Sequence, residues 1–339
     1  MSELTRRDFL HATAAGGTLL LADGTLRGGA EKAKLPQRLL GSTGVKVPVL
    51  GLGTVAAGNI PNDKDAIALI HKAIDRGVTY IDTAPPRTSR AAVTGYGRAQ
   101  RRLRAVLQER RKEVFLATKC LETDGDRALA LLKQNLDELG VEQVDLIYSH
   151  SIGHAIYDVE KLTGPDGPMA ALEKAKQDGL ARFVGVTGHN RPEKYVEVLK
   201  RRAIDVMMNA VNIVDRHTYA FEDVVWPLAR QKGVGLVAMK VFGGAAGLDI
   251  VTGCKMPAEL RQASLRYALS VPGVAVAVIG IGTEEQLEQN IAWVKSFKPM
   301  TADEARELKA KTVALAKQWG AHLDRLDLQG EKSRPLVNT

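Results

Sequence analysis

Cysteine is scarce in this sequence, which holds only Cys120 and Cys254 and no C-x-x-C pair. A cysteine-ligated zinc site or an iron–sulfur cluster needs several thiolates at short spacing, so the sequence argues strongly against both. Cys120 lies in an apolar, strand-like run and is expected to be buried. A disulfide between the two cysteines in an oxidising compartment stays an open alternative.

The chain also lacks the features of nucleic-acid-binding proteins and of membrane-spanning proteins. Its net charge is +8, but no basic stripe is interleaved with aromatic residues, which make up 5% of the composition. We therefore expect no nucleic-acid partner. The mostly apolar run at 12–22 is far shorter than the roughly 20 residues that a membrane-spanning helix needs, so we expect no stable membrane span. A chain of 339 residues can bury a large core without disulfides or metals.

The N-terminus has the pattern of an export signal. The sequence T-R-R-D-F-L at 5–10 comes directly before the small and apolar run at 12–22. This order resembles a bacterial twin-arginine signal, which engages the twin-arginine translocation machinery and directs export of proteins that are already folded. We therefore expect residues 1–30 to be a signal peptide and the protein to be periplasmic or secreted. A disordered tail with a chance arginine pair is the alternative.

After the N-terminus, short apolar runs alternate with longer helical patterns. A small hairpin is expected first, at 38–47. Eight short runs rich in β-branched residues follow as strand candidates, at 48–52, 78–82, 113–119, 144–149, 181–187, 204–210, 234–240 and 274–280. The helices expected between and after them lie at 63–76, 97–110, 125–139, 168–178, 192–201, 219–232, 257–270 and 283–293, with a further helix at 301–322.

This alternation predicts an α/β fold, a (β/α)8 TIM barrel with an N-terminal β-hairpin and a C-terminal extra helix. The alternative is a doubly wound open sheet, which usually carries G-x-G-x-x-G after its first strand. The glycine-containing run at 51–58 only loosely imitates that motif. Because no internal linker is evident, we expect a single barrel domain at 35–325 and a polar tail at 326–339.

Polar residues terminate three consecutive strand candidates. Asp82 ends the second, Lys119 the third and His150 the fourth. Each alone is most simply a helix cap or a solvated surface residue. In a parallel barrel, however, the carboxyl ends of the strands meet at one face, and that face holds the active site. The three residues together therefore predict a catalytic site.

From about residue 37 to residue 298, the chain resembles the aldo-keto reductase family. The matching segments, in the family's order, are Y-I-D-T-A at 80–84, Y-G-R-A-Q-R-R-L at 96–103, A-T-K at 117–119, D-L-I-Y-S-H at 145–150, G-V-T-G at 185–188 and G-I-G-T-E-E-Q-L-E-Q-N at 280–290. The resemblance implies an oxidoreductase that uses NADP(H) or NAD(H). Its expected substrate is a small molecule, an aldehyde, ketone or sugar-like alcohol.

The resemblance also implies a catalytic tetrad, whose members fall on Asp82, Tyr96, Lys119 and His150. Tyr96 would be the general acid and base. A nearby ammonium, that of Lys119, should lower the phenol's pKa from its free value near 10. Asp82 would hold Lys119, and His150 would orient the carbonyl by a hydrogen bond.

The tyrosine departs from the family's spacing. It normally follows the aspartate by about five residues, where this chain has Arg87, whereas Tyr96 comes fourteen residues after Asp82. We interpret 85–94 as containing an insertion of about nine residues, because the sequence after Tyr96 continues into the family's helix. The alternative is that the acid has been lost and Tyr96 is a loop aromatic.

Several cofactor contacts are implied by the same resemblance. Thr187 and Gly188 fall where the family places a Ser-Asn pair on the nicotinamide carboxamide, and Asn209 or Met208 falls near its usual glutamine. Met239 replaces the aromatic residue that normally stacks on the nicotinamide, which leaves a softer apolar contact. The other expected contacts around the phosphates and adenine are Lys240, Gly243, Gly280, Gly282, Thr283, Gln286 and Asn290.

The adenosine-phosphate loop lacks the family's cations. Gly280, Gly282 and Gln286 stand where a lysine or arginine usually binds the 2′-phosphate, which weakens the case for NADPH over NADH. The helix expected to start at Thr283 can still offer backbone N–H groups to a phosphate. Two other functions stay open: a nucleotide-binding regulatory barrel with little turnover, and a cofactor-free periplasmic lyase or isomerase on the same scaffold.

Overall fold

The computed structural model describes residues 35–88, 94–244 and 254–328. The N-terminal residues 1–30, expected to form a signal, and the tail beyond residue 328 lie outside this range. The strands in the described chain are β1 (Gln37–Leu39), β2 (Lys46–Pro48), β3 (Leu50–Gly53), β4 (Tyr80–Asp82), β5 (Phe115–Cys120), β6 (Val144–Ser149), β7 (Ala181–Gly188), β8 (Val206–Ala210), β9 (Gly235–Met239) and β10 (Val274–Gly280).

These strands form a hairpin and a barrel. β1 and β2 pair antiparallel. The remaining eight are parallel and close into a barrel in the order β3 to β10, with β10 pairing back onto β3. This confirms the predicted (β/α)8 fold with its N-terminal hairpin. The eight barrel strands are buried along nearly their whole length, as expected for a barrel covered by helices.

Helices surround the barrel. The described α-helices are α1 (Val55–Gly58), α2 (Asp63–Asp75), α3 (Ala99–Arg110), α4 (Gly125–Leu139), α5 (Val159–Thr163), α6 (Pro168–Gln177), α7 (Pro192–Arg201), α8 (Phe221–Val224), α9 (Trp226–Gln231), α10 (Ala258–Ser270), α11 (Glu284–Lys295) and α12 (Ala302–Trp319). Short 3-10 helices lie at Arg111–Glu113, Asp215–His217 and His322–Leu328.

Two helix boundaries differ from the sequence prediction for identifiable reasons. The helix expected at 219–232 is split into α8 and α9, because Pro227 lacks an N–H and its ring clashes with a preceding carbonyl. The helix expected at 301–322 begins after Thr301, whose side chain forms a capping box with Glu304. It ends at Trp319, because Gly320 has a φ of +54° that stops α-helical geometry.

The side chains that face into the barrel form their own core. Tyr80, Leu146, Tyr148 and Met208 belong to it, and the hydroxyls of Tyr80 and Tyr148 satisfy each other at 3.0 Å. A second, larger core lies between the strands and the helices. The closed barrel is therefore filled with side chains below its mouth and leaves room for a ligand only at the strand ends.

Three features that the sequence left open or argued against can be checked in the described part of the chain. Cys120 is buried, and its thiol lies 3.4 Å from the carbonyl oxygen of Ala128 and forms no disulfide with Cys254. No described helix combines the length and the hydropathy that crossing a membrane requires. Across the same ranges, no cluster of three or more His, Cys, Asp or Glu side chains has metal-binding geometry.

Candidate active site

A buried ion pair lies at the carboxyl ends of β4 and β5. The Nζ of Lys119 lies 2.7 Å from each carboxylate oxygen of Asp82 and 2.8 Å from the carbonyl oxygen of Thr83. The side chains of Lys119 and Asp82 are 1% and 5% exposed. The barrel register places both at the same end, because Asp82 pairs with Ala117, two residues before Lys119.

Tyr96 completes this cluster from the loop before α3. Lys119 donates to the Tyr96 hydroxyl at 2.8 Å, and that hydroxyl lies 3.4 Å from Oδ2 of Asp82. Three of the four residues predicted as a tetrad are thus in direct contact. Arg87, which stands at the family's usual tyrosine spacing, is exposed.

The short helix α1 supports the Tyr96 loop. Asn59 donates from Nδ2 to the carbonyl oxygens of Val55 and Gly95, and Arg98 donates its backbone N–H to Gly58. A Cβ on Gly58 would lie 2.0 Å from the carbonyl oxygen of Tyr96. Gly58 therefore permits a backbone approach that no other residue allows. Residues 89–93 of the interpreted insertion lie outside the described range.

His150 follows β6 directly and donates its backbone N–H to Cys120 at 2.8 Å. Its ring lies 6.5 Å from that of His189, between centroids, and makes no hydrogen bond to the described residues. Burial, followed by the charges of Lys119 and Lys240, lowers the pKa of His150 well below its usual value. The imidazole is therefore neutral at pH 7 and able to donate one hydrogen bond to a ligand.

The expected effect on the tyrosine is wrong in its direction. We expected Lys119 to lower the pKa of Tyr96. Instead, burial and then the charge of Asp82 raise the pKa of Tyr96 well above its ordinary value. The carboxylate that holds the ammonium also opposes its effect on the phenol. Tyr96 is consequently held in its protonated form.

A small cavity of about 130 Å³ adjoins Asp82 and Tyr96 and is also lined by Met239, Lys240 and Gly280. It leads into a groove of about 470 Å³ that runs to the start of α11. The two spaces share four lining residues: Ala56, Phe242, Gly244 and Gly280. An elongated ligand can therefore lie in the groove with one end beside Tyr96.

The groove contains most of the residues expected around the phosphates and adenine. Gly280, Gly282, Gln286 and Asn290 line it. Thr283 is the N-cap of α11 and accepts from the backbone N–H of Gln286. The Oε1 of Gln286 accepts from Gly282 N at 2.8 Å, so this side chain is folded back against its own loop.

Two cations that sequence reasoning missed also line this groove. They are Lys255, which is exposed, and Arg261, whose Nε donates to the carbonyl oxygen of Met256 at 3.3 Å. Lys255 precedes α10, and Arg261 lies in its first turn. The only sequence signal was the presence of basic residues around a helix start, and nothing in the sequence places that helix beside the groove. They can bind phosphate groups.

Thr187 lies at the carboxyl end of β7. It pairs in register with Met208, whose side chain lies in the barrel core, so Thr187 also faces the interior. Its Oγ1 is buried and has no hydrogen-bond partner. Buried polar atoms are rarely left unpaired, so this hydroxyl fits a carboxamide supplied by a ligand.

Two other assignments need correction. Asn209 and Gly188 pair with each other on the outer face of the barrel. There, Trp226 donates to the Asn209 Oδ1 at 2.9 Å, and a Cβ on Gly188 would lie 1.5 Å from the Tyr195 hydroxyl. The side chain of Asn209 points away from the barrel interior, and so would any side chain at position 188. Neither position therefore contacts the nicotinamide through a side chain.

Gly243, expected beside the pyrophosphate, also has a packing role. A Cβ at this position would lie 2.4 Å from the Trp319 ring of α12, and its φ is +79°. The glycine is therefore required by the contact with the C-terminal helix. Met239 and Lys240 do line the cavity beside Tyr96, as the family comparison of the sequence implies.

Comparisons with known proteins agree with this geometry. The model described as the Aldo/keto reductase family matches residues 49–248. L-galactose dehydrogenase of Arabidopsis thaliana is 23% identical over 303 residues, which cover 80% of this chain and 92% of that protein. The holo form of an aldo-keto reductase from Bacillus halodurans has a TM-score of 0.65 at 22% identity and covers 81% of this chain and 96% of its own.

A third comparison concerns a solved complex. The aldo-keto reductase of Klebsiella pneumoniae in complex with NADPH has a TM-score of 0.62 at 18% identity. It covers 81% of this chain and 94% of its own. At these identities, the two solved structures establish the shared barrel fold. The family model carries the relationship itself, because it matches more than half of the chain.

Proposed function

The chain belongs to the aldo/keto reductase family and is an oxidoreductase; on that premise, we propose that it interconverts a carbonyl and an alcohol with Tyr96 as general acid and base. The substrate class is an aldehyde, a ketone or a sugar-like alcohol. One observation carries the proposal: Lys119 donates to the Tyr96 hydroxyl at 2.8 Å while Asp82 holds the same ammonium.

Tyr96 supplies the proton to the carbonyl oxygen during reduction. Its raised pKa keeps the phenol protonated at neutral pH, so the donor is ready in the ground state. As the phenol loses its proton, the ammonium of Lys119 at 2.8 Å stabilises the oxygen that becomes negative. Asp82 holds that ammonium in place, and the neutral ring of His150 donates a hydrogen bond that orients the carbonyl.

The residues present fit a nicotinamide dinucleotide. The buried, unpaired Thr187 hydroxyl would bind the carboxamide, and Met239 would contact the ring. The groove beside α11 would hold the adenosine end. When bound, the cofactor supplies or takes up the hydride at the carbonyl carbon.

Of the two cofactors, we propose that NADP(H) is preferred. The loop cations that the family usually has are missing at Gly282 and Gln286, but Lys255 and Arg261 bring positive charge to the same groove. An additional phosphate on the ribose would gain charge-assisted hydrogen bonds there. NAD(H) lacks that phosphate and would bind more weakly.

A carbonyl panel with both reduced cofactors tests the proposed activity. We expect carbonyl-dependent loss of the reduced nicotinamide absorbance with NADPH, and mass spectrometry of nucleotides that co-purify with the protein should identify NADP(H). Tight nucleotide binding with negligible turnover, unchanged by Tyr96→Phe, would instead favour a regulatory barrel. Protein that neither contains nor binds a nucleotide would favour a lyase or isomerase.

We also propose that residues 1–30 direct export through the twin-arginine machinery to the periplasm or the outside of the cell. The support is the sequence pattern at 5–10 and 12–22. Fusing residues 1–30 to a folded reporter should export it, and replacing Arg6 and Arg7 by lysine should keep it in the cytoplasm. Export that is insensitive to this replacement would contradict the proposal.

A further inference from the structure

A second ammonium lies close to the Asp82–Lys119 pair. Lys240 directly follows β9 and lines the same small cavity as Asp82 and Tyr96. It does not line the groove at α11 that contains Lys255 and Arg261. Its place in the fold is therefore beside the reacting carbonyl and away from the phosphate-binding end of the groove.

The backbone at Lys240 has an unfavourable conformation, and polar contacts hold it. Its φ is +55°, a left-handed value that residues with a side chain rarely adopt. Its carbonyl oxygen accepts from Asn212 Nδ2 at 2.9 Å and from Gly243 N at 2.8 Å. Strained residues that are held in this way occur mostly at ligand-binding and catalytic positions.

The Asn212 contact is part of a buried network. Asn212 also donates to Oδ2 of Asp215 at 2.6 Å, and Oδ1 of Asp215 lies 2.8 Å from Nε2 of His322. His322 packs its ring against Trp319 of α12, with 5.1 Å between centroids. The C-terminal segment thus fixes the backbone from which the Lys240 side chain extends.

Two histidines follow the carboxyl ends of β6 and β7, at the same end of the barrel as Lys240. His189 follows β7, and its Nδ1 lies 3.2 Å from the hydroxyl of Ser151, next to His150. After burial, the charge of Lys240 is the next cause that lowers the pKa of His189, and it also contributes to the lowered pKa of His150.

The loop that carries these groups is itself backed by cations. Arg191 donates from Nη1 to the carbonyl oxygen of Gly153 at 2.7 Å. Lys194 donates to the carbonyl oxygens of His154 and Tyr157 at 2.9 Å and 2.6 Å. On this side of the mouth, the carboxylate of Asp82 is paired with Lys119, and Oδ1 of Asp324 accepts a hydrogen bond from Asn190 at 3.0 Å.

We propose that Lys240 binds an anionic group on the substrate, a carboxylate or a phosphate, next to the carbonyl that reacts at Tyr96. The inference rests on the proposed function and deepens it, because it names a substrate class. The ammonium supplies donors to the anion oxygens, and His150 keeps its single N–H donor for the carbonyl. No proton needs to be transferred for this binding.

Matched substrate pairs test the proposal. One pair is 4-carboxybenzaldehyde and its methyl ester; the other is glyceraldehyde 3-phosphate and glyceraldehyde. We expect the parent enzyme to show a kcat/KM at least about tenfold higher for the charged member of one pair, since a hydrogen bond to a charged group changes binding by roughly ten- to a hundredfold. The pair that responds distinguishes a carboxylate from a phosphate.

The variant Lys240→Met should reduce this charged-to-uncharged ratio by roughly ten- to a hundredfold, and Lys240→Arg should retain most of it. Lys133→Met, at an exposed position on α4, is the control and should leave the ratio unchanged. A ratio near one in the parent, or a ratio that Lys240→Met does not change, overturns the inference. An equal loss of kcat/KM for the charged and the uncharged substrate, matched by weaker NADPH binding, would assign Lys240 to the cofactor. That result would also overturn the inference.

A binding measurement separates this inference from the proposed function. Benzoate carries the anion without a reducible carbonyl, and calorimetry can follow its binding to the protein saturated with NADP+. Binding that Lys240→Met weakens about tenfold or more supports the anion site even if no carbonyl is reduced. Turnover of the uncharged substrates without Lys240-dependent benzoate binding leaves the reductase in place and removes the anion site.

Discussion

The Nζ of Lys119 lies 2.8 Å from the hydroxyl of Tyr96, although the two residues belong to different segments separated by α3. The same ammonium lies 2.7 Å from both oxygens of Asp82. All three groups are buried, so their interactions are weakly screened by water. This contact joins the acid, its stabilising charge and the carboxylate that positions that charge.

Breaking the ion pair should cost both stability and activity. Lys119→Met leaves the carboxylate of Asp82 buried without its partner. We expect the free energy of unfolding to fall by about 3–5 kcal/mol, measured by urea denaturation. The double variant Asp82→Leu/Lys119→Met removes both charges and should recover much of that loss while staying inactive. A Lys119→Met protein as stable as the parent would contradict a buried, charged pair.

A methyl group at position 58 should displace the general acid, Tyr96, without changing its chemical identity. The Cβ of Gly58→Ala would lie 2.0 Å from the carbonyl oxygen of Tyr96, so that loop must move. Misplacing a catalytic group by about 1 Å can cost on the order of a hundredfold in rate, and we expect kcat to fall by roughly tenfold or more. Steady-state kinetics would measure this.

The control for that variant is the same substitution in the Tyr96→Phe background. If Gly58 acts through Tyr96, Gly58→Ala should cause almost no additional loss there, because the two effects are not additive. A full additional loss in the double variant would show that Gly58 acts by another route.

The pH dependence follows from the two shifted groups. Tyr96 has a raised pKa, so its phenol stays protonated and competent for reduction until the pH exceeds the range in which a tyrosine ordinarily ionises. His150 has a lowered pKa, so it is neutral from below pH 7 upward. The kcat/KM for reduction should therefore be flat from about pH 7 to about pH 9, and fall only when Tyr96 ionises.

The rate of alcohol oxidation should depend on pH in a different way from the rate of reduction. It needs Tyr96 as proton acceptor, and the deprotonated fraction rises about tenfold for each pH unit below the pKa. The rate of oxidation should therefore rise through the same range in which reduction is flat. A group that titrates between about pH 7 and about pH 9 in reduction would contradict the assignment.

Cofactor preference tests the two groove cations. Lys255→Ala and Arg261→Ala should each raise the Kd for NADP+ by roughly tenfold and leave that for NAD+ much less changed, because the lost interaction is with the additional phosphate. Trp293 lines the groove, so quenching of intrinsic fluorescence provides the measurement. Gln262→Ala, an exposed neighbour on α10, is the control. Equal losses for both cofactors would contradict the proposed NADP(H) preference.

The sequence predicted the barrel well because its signal is local. Each strand run is short and apolar along its length, and the helices show amphipathic patterns between them. The strand ends then predicted Asp82, Lys119 and His150 as site residues, because the carboxyl ends of parallel strands meet at one face of the barrel. The insertion before Tyr96 could be interpreted only because the sequence after it continues into α3.

The sequence-based predictions that were wrong or missing depended on the register of single residues and on their placement in the folded barrel. A shift of one residue decides the face of a strand, and this put Asn209 outside the barrel and Met208 inside. Lys255 and Arg261 were missed because their segment reaches the groove only in the folded barrel. The pKa of Tyr96 was predicted in the wrong direction because burial and Asp82 outweigh the ammonium.

The most direct measurement of the central claim compares Tyr96→Phe with Arg87→Ala in carbonyl reduction with NADPH. Removing the proton donor should lower kcat by roughly a hundred- to ten-thousandfold while fluorescence titration shows cofactor binding close to the parent's. Arg87 is exposed, so its variant should keep the parent's activity. Near-normal reduction by Tyr96→Phe, or loss of reduction in Arg87→Ala, would contradict the assignment of Tyr96 as the acid.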